Sequence, residues 1–160
     1  MRSTPIFLAI AVLLAAAPTL AAPGDPDASF GGGDGKVSYD LSPTIDSVEG
    51  LAVGSDGRIV AVGYSNIAGS PKMVALRLKP DGSLDPSFGG FGAIADFLSG
   101  GSARAVAVQD DGKIVLAGLR SDGMTVFRLA ADGKLDQGFG SGGAASAGFG
   151  FGSAARGVAV

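Results

Sequence analysis

Four acidic residues, Asp46, Glu49, Asp96 and Asp122, are the ones in this chain whose chemistry could be catalytic. Two carboxylates flanking a glycosidic bond can cleave it, one as acid and the other as base or nucleophile. Nothing in the spacing of these four brings two of them together. Composition removes most other chemistries. The 160 residues include no histidine and no cysteine. Ser-His-Asp and Cys-His nucleophile systems are therefore excluded, as are zinc sites of the usual kind and haem ligation by either residue. No Gly-x-Ser-x-Gly elbow occurs.

Three further patterns invite a ligand. Gly140-Ser-Gly142-Gly-Ala-Ala145 fits the dinucleotide fingerprint in its alanine form, but no helical pattern follows it, and a turn-forming loop is the simpler reading. Asp81-Gly-Ser-Leu-Asp85 has the look of a calcium loop without the further acidic ligands such a loop needs. The simpler reading makes Asp81-Gly82 a turn, with Asp85 binding backbone N–H groups. Phe30, Phe88 and Phe139 could form an aromatic platform for sugars. Their equal placement in each copy of a repeat favours packing, with each ring plugging the gap between neighbouring units. Lys36, Arg58, Lys113 and Lys134 read as solvated charges at strand ends.

The elements that position these residues follow from the repeat. Asp27-Ala-Ser-Phe30-Gly31 returns as Asp85-Pro-Ser-Phe88-Gly89 and as Asp136-Gln-Gly-Phe139-Gly140. A second phrase, Asp56-Gly57-Arg-Ile-Val-Ala-Val-Gly63, returns as Asp111-Gly112-Lys-Ile-Val-Leu-Ala-Gly118. Two phrases in fixed order mark one supersecondary unit copied in tandem. The copies differ in length, and the differences are expected in turns rather than in the apolar runs. Glu49 is the single glutamate among 15 acidic residues. Such a bias towards Asp suits turns rather than helices.

Short β-branched runs bounded by Asp-Gly predict strands. The second copy predicts Gly92–Leu98, Ala103–Val108, Lys113–Gly118 and Met124–Leu129. The first predicts Lys36–Leu41, Val48–Val53, Arg58–Tyr64 and Met73–Leu78. Arg156–Val160 aligns with Arg104–Val108, and the hairpin that would follow it is absent from the sequence. The middle strands are apolar on both faces, as in sheets covered from both sides. The expected fold is all-β: tandem four-stranded antiparallel units in an incomplete β-propeller-like array. A β-sandwich of hairpins or a β-solenoid is the alternative.

Asp111–Gly118, Arg128-Leu-Ala-Ala-Asp-Gly-Lys-Leu-Asp136 and Phe139-Gly140 together resemble the bacterial delta-60 repeat. The first copy supplies Asp56–Gly63 and Arg77–Gly89. The resemblance covers about 27–160. It departs from the pattern at Gly138, where Ser is usual, and in the glycine-rich tract 140–152. It implies a propeller-like unit in exported, multi-repeat proteins and carries no established activity.

Residues 1–21 read as a signal peptide: Arg2, an apolar run over Ile6–Ala17, then small residues, with cleavage after Ala21. The run is short for a membrane span, so no anchor is expected after cleavage. Residues 22–34 form a linker and the first repeat phrase, 35–91 repeat unit 1, 92–142 repeat unit 2 and 143–160 a truncated unit 3. A net charge of −3 without a basic run argues against nucleic acid. The absence of cysteine fits a bacterial periplasmic, cell-surface or secreted protein. The expectation is a non-catalytic, cofactor-free, metal-free repeat module, a fragment of a longer protein. Its partner would be an unidentified protein or glycan, with self-association through open blade edges. A propeller enzyme using Asp and Glu, or a calcium-stabilised repeat, is the alternative.

Overall fold

The computed structural model describes residues 22–67, 69–99 (94–99 by backbone alone), 101–120, 123–147 and 154–160. The expected signal peptide and Asp122 lie outside the described residues. Eight strands form, and no helix is present among the described residues. They are β1 (Asp46–Val53), β2 (Ile59–Ile67), β3 (Ser70–Leu78), β4 (Ala93–Ser99), β5 (Gly101–Val108), β6 (Ile114–Arg120), β7 (Gly123–Leu129) and β8 (Ala144–Ala147). They make two antiparallel sheets, β1-β2-β3-β4 and β5-β6-β7-β8. The all-β, four-stranded, propeller-like expectation therefore holds.

The hairpins form where the sequence places them. Val53 pairs with Ile59 across Asp56-Gly57, and Val108 pairs with Ile114 across Asp111-Gly112. Gly57 and Gly112 take φ of 77° and 78°, which the turn requires and a side chain resists. Each inner strand bulges by one charged residue, Glu49 in β1 and Arg104 in β5. Gly63 and Gly118 sit beside these bulges. A Cβ on Gly63 would fall 1.9 Å from Ser47 O, and one on Gly118 would fall 2.1 Å from Ser102 O. The repeated glycine at the end of the second phrase thus serves close backbone approach.

Three expectations change. First, Lys36–Leu41 forms no strand. The segment after each phrase pairs backwards, β4 on β3 and β8 on β7. Among the described residues no strand precedes 36–41 to offer it a ladder. Second, Gly92–Leu98 belongs to the sheet of the preceding hairpins and not to the one that follows it. Third, the extra residues between Gly63 and Met73 do not loop out. The β2–β3 ladder continues through Ser65↔Lys72 and Asn66↔Pro71 to Ile67↔Ser70, so the insertion lengthens both strands. Arg156–Val160, aligned with β5, also forms no strand.

The two sheets pack face to face, with β5 lying across β1, β2 and β3. Val60, Val62, Met73 and Ala75 from the first sheet meet Ile114, Leu116, Phe127 and Leu129 from the second, with Phe88 buried among them. Each large side chain buried in such a core contributes about 1.5–3 kcal/mol. Gly50 allows the sheets to approach: a Cβ there would lie 3.2 Å from Arg104 O and 3.3 Å from Ala105 Cα.

Candidate functional site

The repeated phrases meet at the Asp-Gly end of the sheets. Asp85 is buried just beyond β3. Its Oδ1 accepts the Ser87 amide at 3.1 Å and the Ser87 hydroxyl at 2.7 Å. Its Oδ2 accepts Arg77 Nε at 2.9 Å. Arg58 Nε lies 2.9 Å from the same oxygen, as an ion pair rather than an aligned hydrogen bond. Burial works to raise the Asp85 pKa. The Ser87 hydroxyl and amide and the Arg77 guanidinium outweigh it and hold the carboxyl down at about 2. Arg77 also donates to Ser87 Oγ and, from the next copy, to the Ala131 carbonyl. Its guanidinium lies over the Phe88 ring, 4.8 Å from the centroid, a stacked cation–π contact.

The next copy repeats the arrangement in a more open setting. Arg128 Nε donates to Asp136 Oδ2 at 2.8 Å, Lys113 Nζ lies 3.3 Å from that oxygen, and Gly138 N donates to Oδ1. Arg128 stacks on Phe139 at the same 4.8 Å. Asp136 is held below its ordinary pKa, by the Gly138 amide first. In the first copy Asp27 accepts the Ser29 amide and hydroxyl. Arg58 and Lys113 are thus not merely solvated strand-end charges, because each closes an ion pair on the carboxylate of its own copy's phrase. Lys134 pairs with Asp132 at 2.9 Å and is largely exposed, and Lys36 is exposed.

The phrase also ties one copy to the next. Gly31 N donates to Asp81 O, and Gly89 N donates to Asp132 O, both at 3.0 Å. Gly31, Gly89 and Gly140 take φ of 70°, 62° and 55°. A Cβ on Gly31 would fall 1.8 Å from Lys36 O, and one on Gly140 would fall 2.0 Å from Ala144 O. Phe88 is fully buried, while Phe30 and Phe139 are half-buried. Phe30 lies beside Gly82, in the turn that Gly31 binds.

A cleft of about 540 Å³ opens between these turns. Val60, Val108 and Ile114 give it apolar walls, Arg58, Arg77 and Ser87 line it, and Asp56, Asp110, Asp111 and Asp132 lie around it. Asp56 accepts the Arg58 amide, Asp111 that of Lys113 and Asp132 that of Lys134. Asp56 and Asp132 are both held below their ordinary pKa, Asp56 by the Arg58 amide first and Asp132 by the Lys134 side chain first. A general acid for glycoside cleavage needs a raised pKa. These carboxylates are shifted in the opposite direction.

The other candidates disperse. Asp46 accepts the Leu41 and Ser42 amides, and Glu49 accepts the Ser47 hydroxyl. The Asp96 side chain and Asp122 lie outside what is described. Asp81 Oδ1 is occupied within its own turn by the Ser83 amide and hydroxyl. Among the described residues no three acidic groups converge to hold a metal. The 140–145 glycine run makes a turn that leads into β8. A phosphate site of the dinucleotide type needs a helix N-terminus there. Nothing in the residue pattern pointed directly to the Arg77 and Arg128 pairing. The eight-residue interval from Arg to Asp, the same in both copies, was its one trace.

Comparison with known proteins bears on the fold. Residues 54–88 and 109–139 match the family model described as Domain of unknown function (DUF5122) beta-propeller. The match supports a propeller-like repeat family, and both matched segments run from an Asp-Gly hairpin to a Phe phrase. No curated protein and no solved structure matches the chain.

Proposed function

We propose that this chain is an exported, non-catalytic module of delta-60-like repeats with a binding or architectural role in the bacterial envelope or exterior. One observation carries the reading: the repeated charged residues are engaged by one another and by the backbone, and Arg77 also reaches the next copy. Arg77 is engaged by Asp85, Ser87 and Ala131 of the next copy, and Phe88 lies beneath it. Carboxylates held ionised by such partners lack the proton that acid catalysis requires. The leader-like residues 1–21 support export. The ligand in view is a protein or a glycan, and the cleft beside Ser87 and Asp110 is where it would rest.

The test expresses the full chain in a bacterial host, fractionates the cells and sequences the N-terminus. The purified protein is then sedimented with isolated cell walls. The expected result is a chain beginning at Ala22 outside the cytoplasm, which sediments with the walls and releases no reducing sugar. A cytoplasmic chain that keeps Met1 would overturn export. Release of reducing ends would overturn the non-catalytic reading.

A further inference from the structure

β1 exposes an apolar face. Val48, Leu51 and Val53 are 58%, 66% and 67% exposed. Their counterparts one copy later are not. Val48 pairs with Gly63 as Ala103 pairs with Gly118, Leu51 with Ala61 as Val106 with Leu116, and Val53 with Ile59 as Val108 with Ile114. Ala103 and Val106 lie in the core between the sheets, and Val108 packs against it. The internal joint therefore shows what covers this kind of face. It is the small-residue face of a preceding inner strand, with Gly50 against the β5 backbone and Ala52 against the core.

The same small-residue pattern recurs at 154–160. Aligned on the repeat, Gly157 and Ala159 occupy the positions of Gly50 and Ala52. Ala155 and Val158 are half-buried, whereas Arg156, Gly157, Ala159 and Val160 are exposed, so the aligned small residues are accessible. A Cβ on Gly157 would meet nothing within 4 Å, where one on Gly50 would meet the next sheet.

We propose that a second copy of this chain covers β1, seating the Gly157/Ala159 face of its 154–160 segment on Val48, Leu51 and Val53. The two surfaces differ, so the contact is head to tail, and each copy keeps one free face of either kind. An exposed apolar strand face of this kind marks an association site. The proposal goes beyond the exported-module reading and fails independently of it.

Light scattering on the purified full chain across a dilution series tests it. Wild type should associate as concentration rises. Leu51→Asp and Ala159→Arg should each be monomeric. An equal mixture of the two should give a dimer and nothing larger, because the first keeps its 154–160 segment and the second keeps its β1 face. Val53→Asp takes the place of Leu51→Asp should circular dichroism show the latter unfolded. Three results would each overturn the proposal: a wild type that is monomeric throughout, an Ala159→Arg chain that associates like wild type, or an inert mixture. The second is the outcome of β1 pairing with itself. A monomeric wild type leaves the exported-module reading standing, and cytoplasmic retention of a chain that still associates does the reverse.

Discussion

Replacing Asp85 by Ala removes a carboxylate whose side chain is 5% exposed and which faces Arg77, itself 10% exposed. Arg77 loses its counter-charge at 2.9 Å, Arg58 loses one of two and keeps Asp56, and the Ser87 amide and hydroxyl lose their acceptor. Breaking one side of a buried pair costs about 3–5 kcal/mol, because a charge is left without compensation. Arg58 reaches solvent and relieves part of this, so the lower end, about 3 kcal/mol, is expected. Asp136→Ala removes the equivalent group where the carboxylate is 16% and Arg128 23% exposed. Water replaces more of the lost partner there, and a clearly smaller loss is expected. For a chain of this size each kcal/mol of difference separates the two melting temperatures by roughly 2–4 °C. Urea melts followed by circular dichroism measure both variants. Equal stability of the two would refute the claim that burial makes Asp85 the stronger latch.

The same group sets a pH dependence. Its folded pKa, about 2, lies below the ordinary 3.8. A depressed carboxylate adds stability that is complete above its unfolded pKa and is lost as pH falls through the folded one. The interval from 3.8 to about 2 corresponds to roughly 2 kcal/mol, all of it lost between about pH 4 and pH 2. Asp85→Asn keeps an acceptor for Ser87 but cannot titrate. It should be less stable than wild type at neutral pH and show a flatter loss of stability in acid. An unchanged acid limb would count against the ion pair.

Gly63→Ala and Gly118→Ala should each destabilise by about 2 kcal/mol or more, because the new Cβ falls on a backbone carbonyl beside the bulge. Urea midpoints check this. Phe88→Ala should cost about 3–5 kcal/mol through its cavity and the lost Arg77 contact. Phe139→Ala, at a half-buried ring, should cost clearly less in the same melts, and parity would show that the two rings do not differ as their burial implies.

The hairpins were legible because they are local. Asp56-Gly57 and Asp111-Gly112 sit between β-branched runs, and a turn of that type fixes the register of both strands. The fourth strand was misplaced because its partner lies far back in the sequence. β4 follows β3 only after the Asp85–Phe88 turn, and no local signal says whether Ala93–Ser99 pairs backwards or forwards. β8 was missed altogether. Ala144-Ala-Ser-Ala147 has little strand propensity, and it is a strand because Val126 and Phe127 of β7 offer it a ladder. Lys36–Leu41 errs the other way, with a strand-like pattern and no ladder. At the candidate site, the aspartates and glycines were visible as repeats, but Arg77 and Arg128 looked like ordinary ends of apolar runs.

These offsets also say where any ligand specificity can reside. Each sheet takes its fourth strand from beyond the next phrase, and Gly31 and Gly89 bind the turn of the following copy. No copy completes its sheet alone, so stability is shared between neighbours, as in other repeat arrays. A residue that carries such a coupling cannot vary without loosening two copies at once. Asp85, Arg77, Phe88 and Gly89 are of this kind. The rim of the cleft is under no such constraint. Ser55 in one hairpin turn stands where Asp110 stands in the other, both line the opening, and neither position is held the same between copies. On the binding role proposed above, recognition of a partner would fall to those turn residues, while the repeated ones hold the turns at a fixed separation.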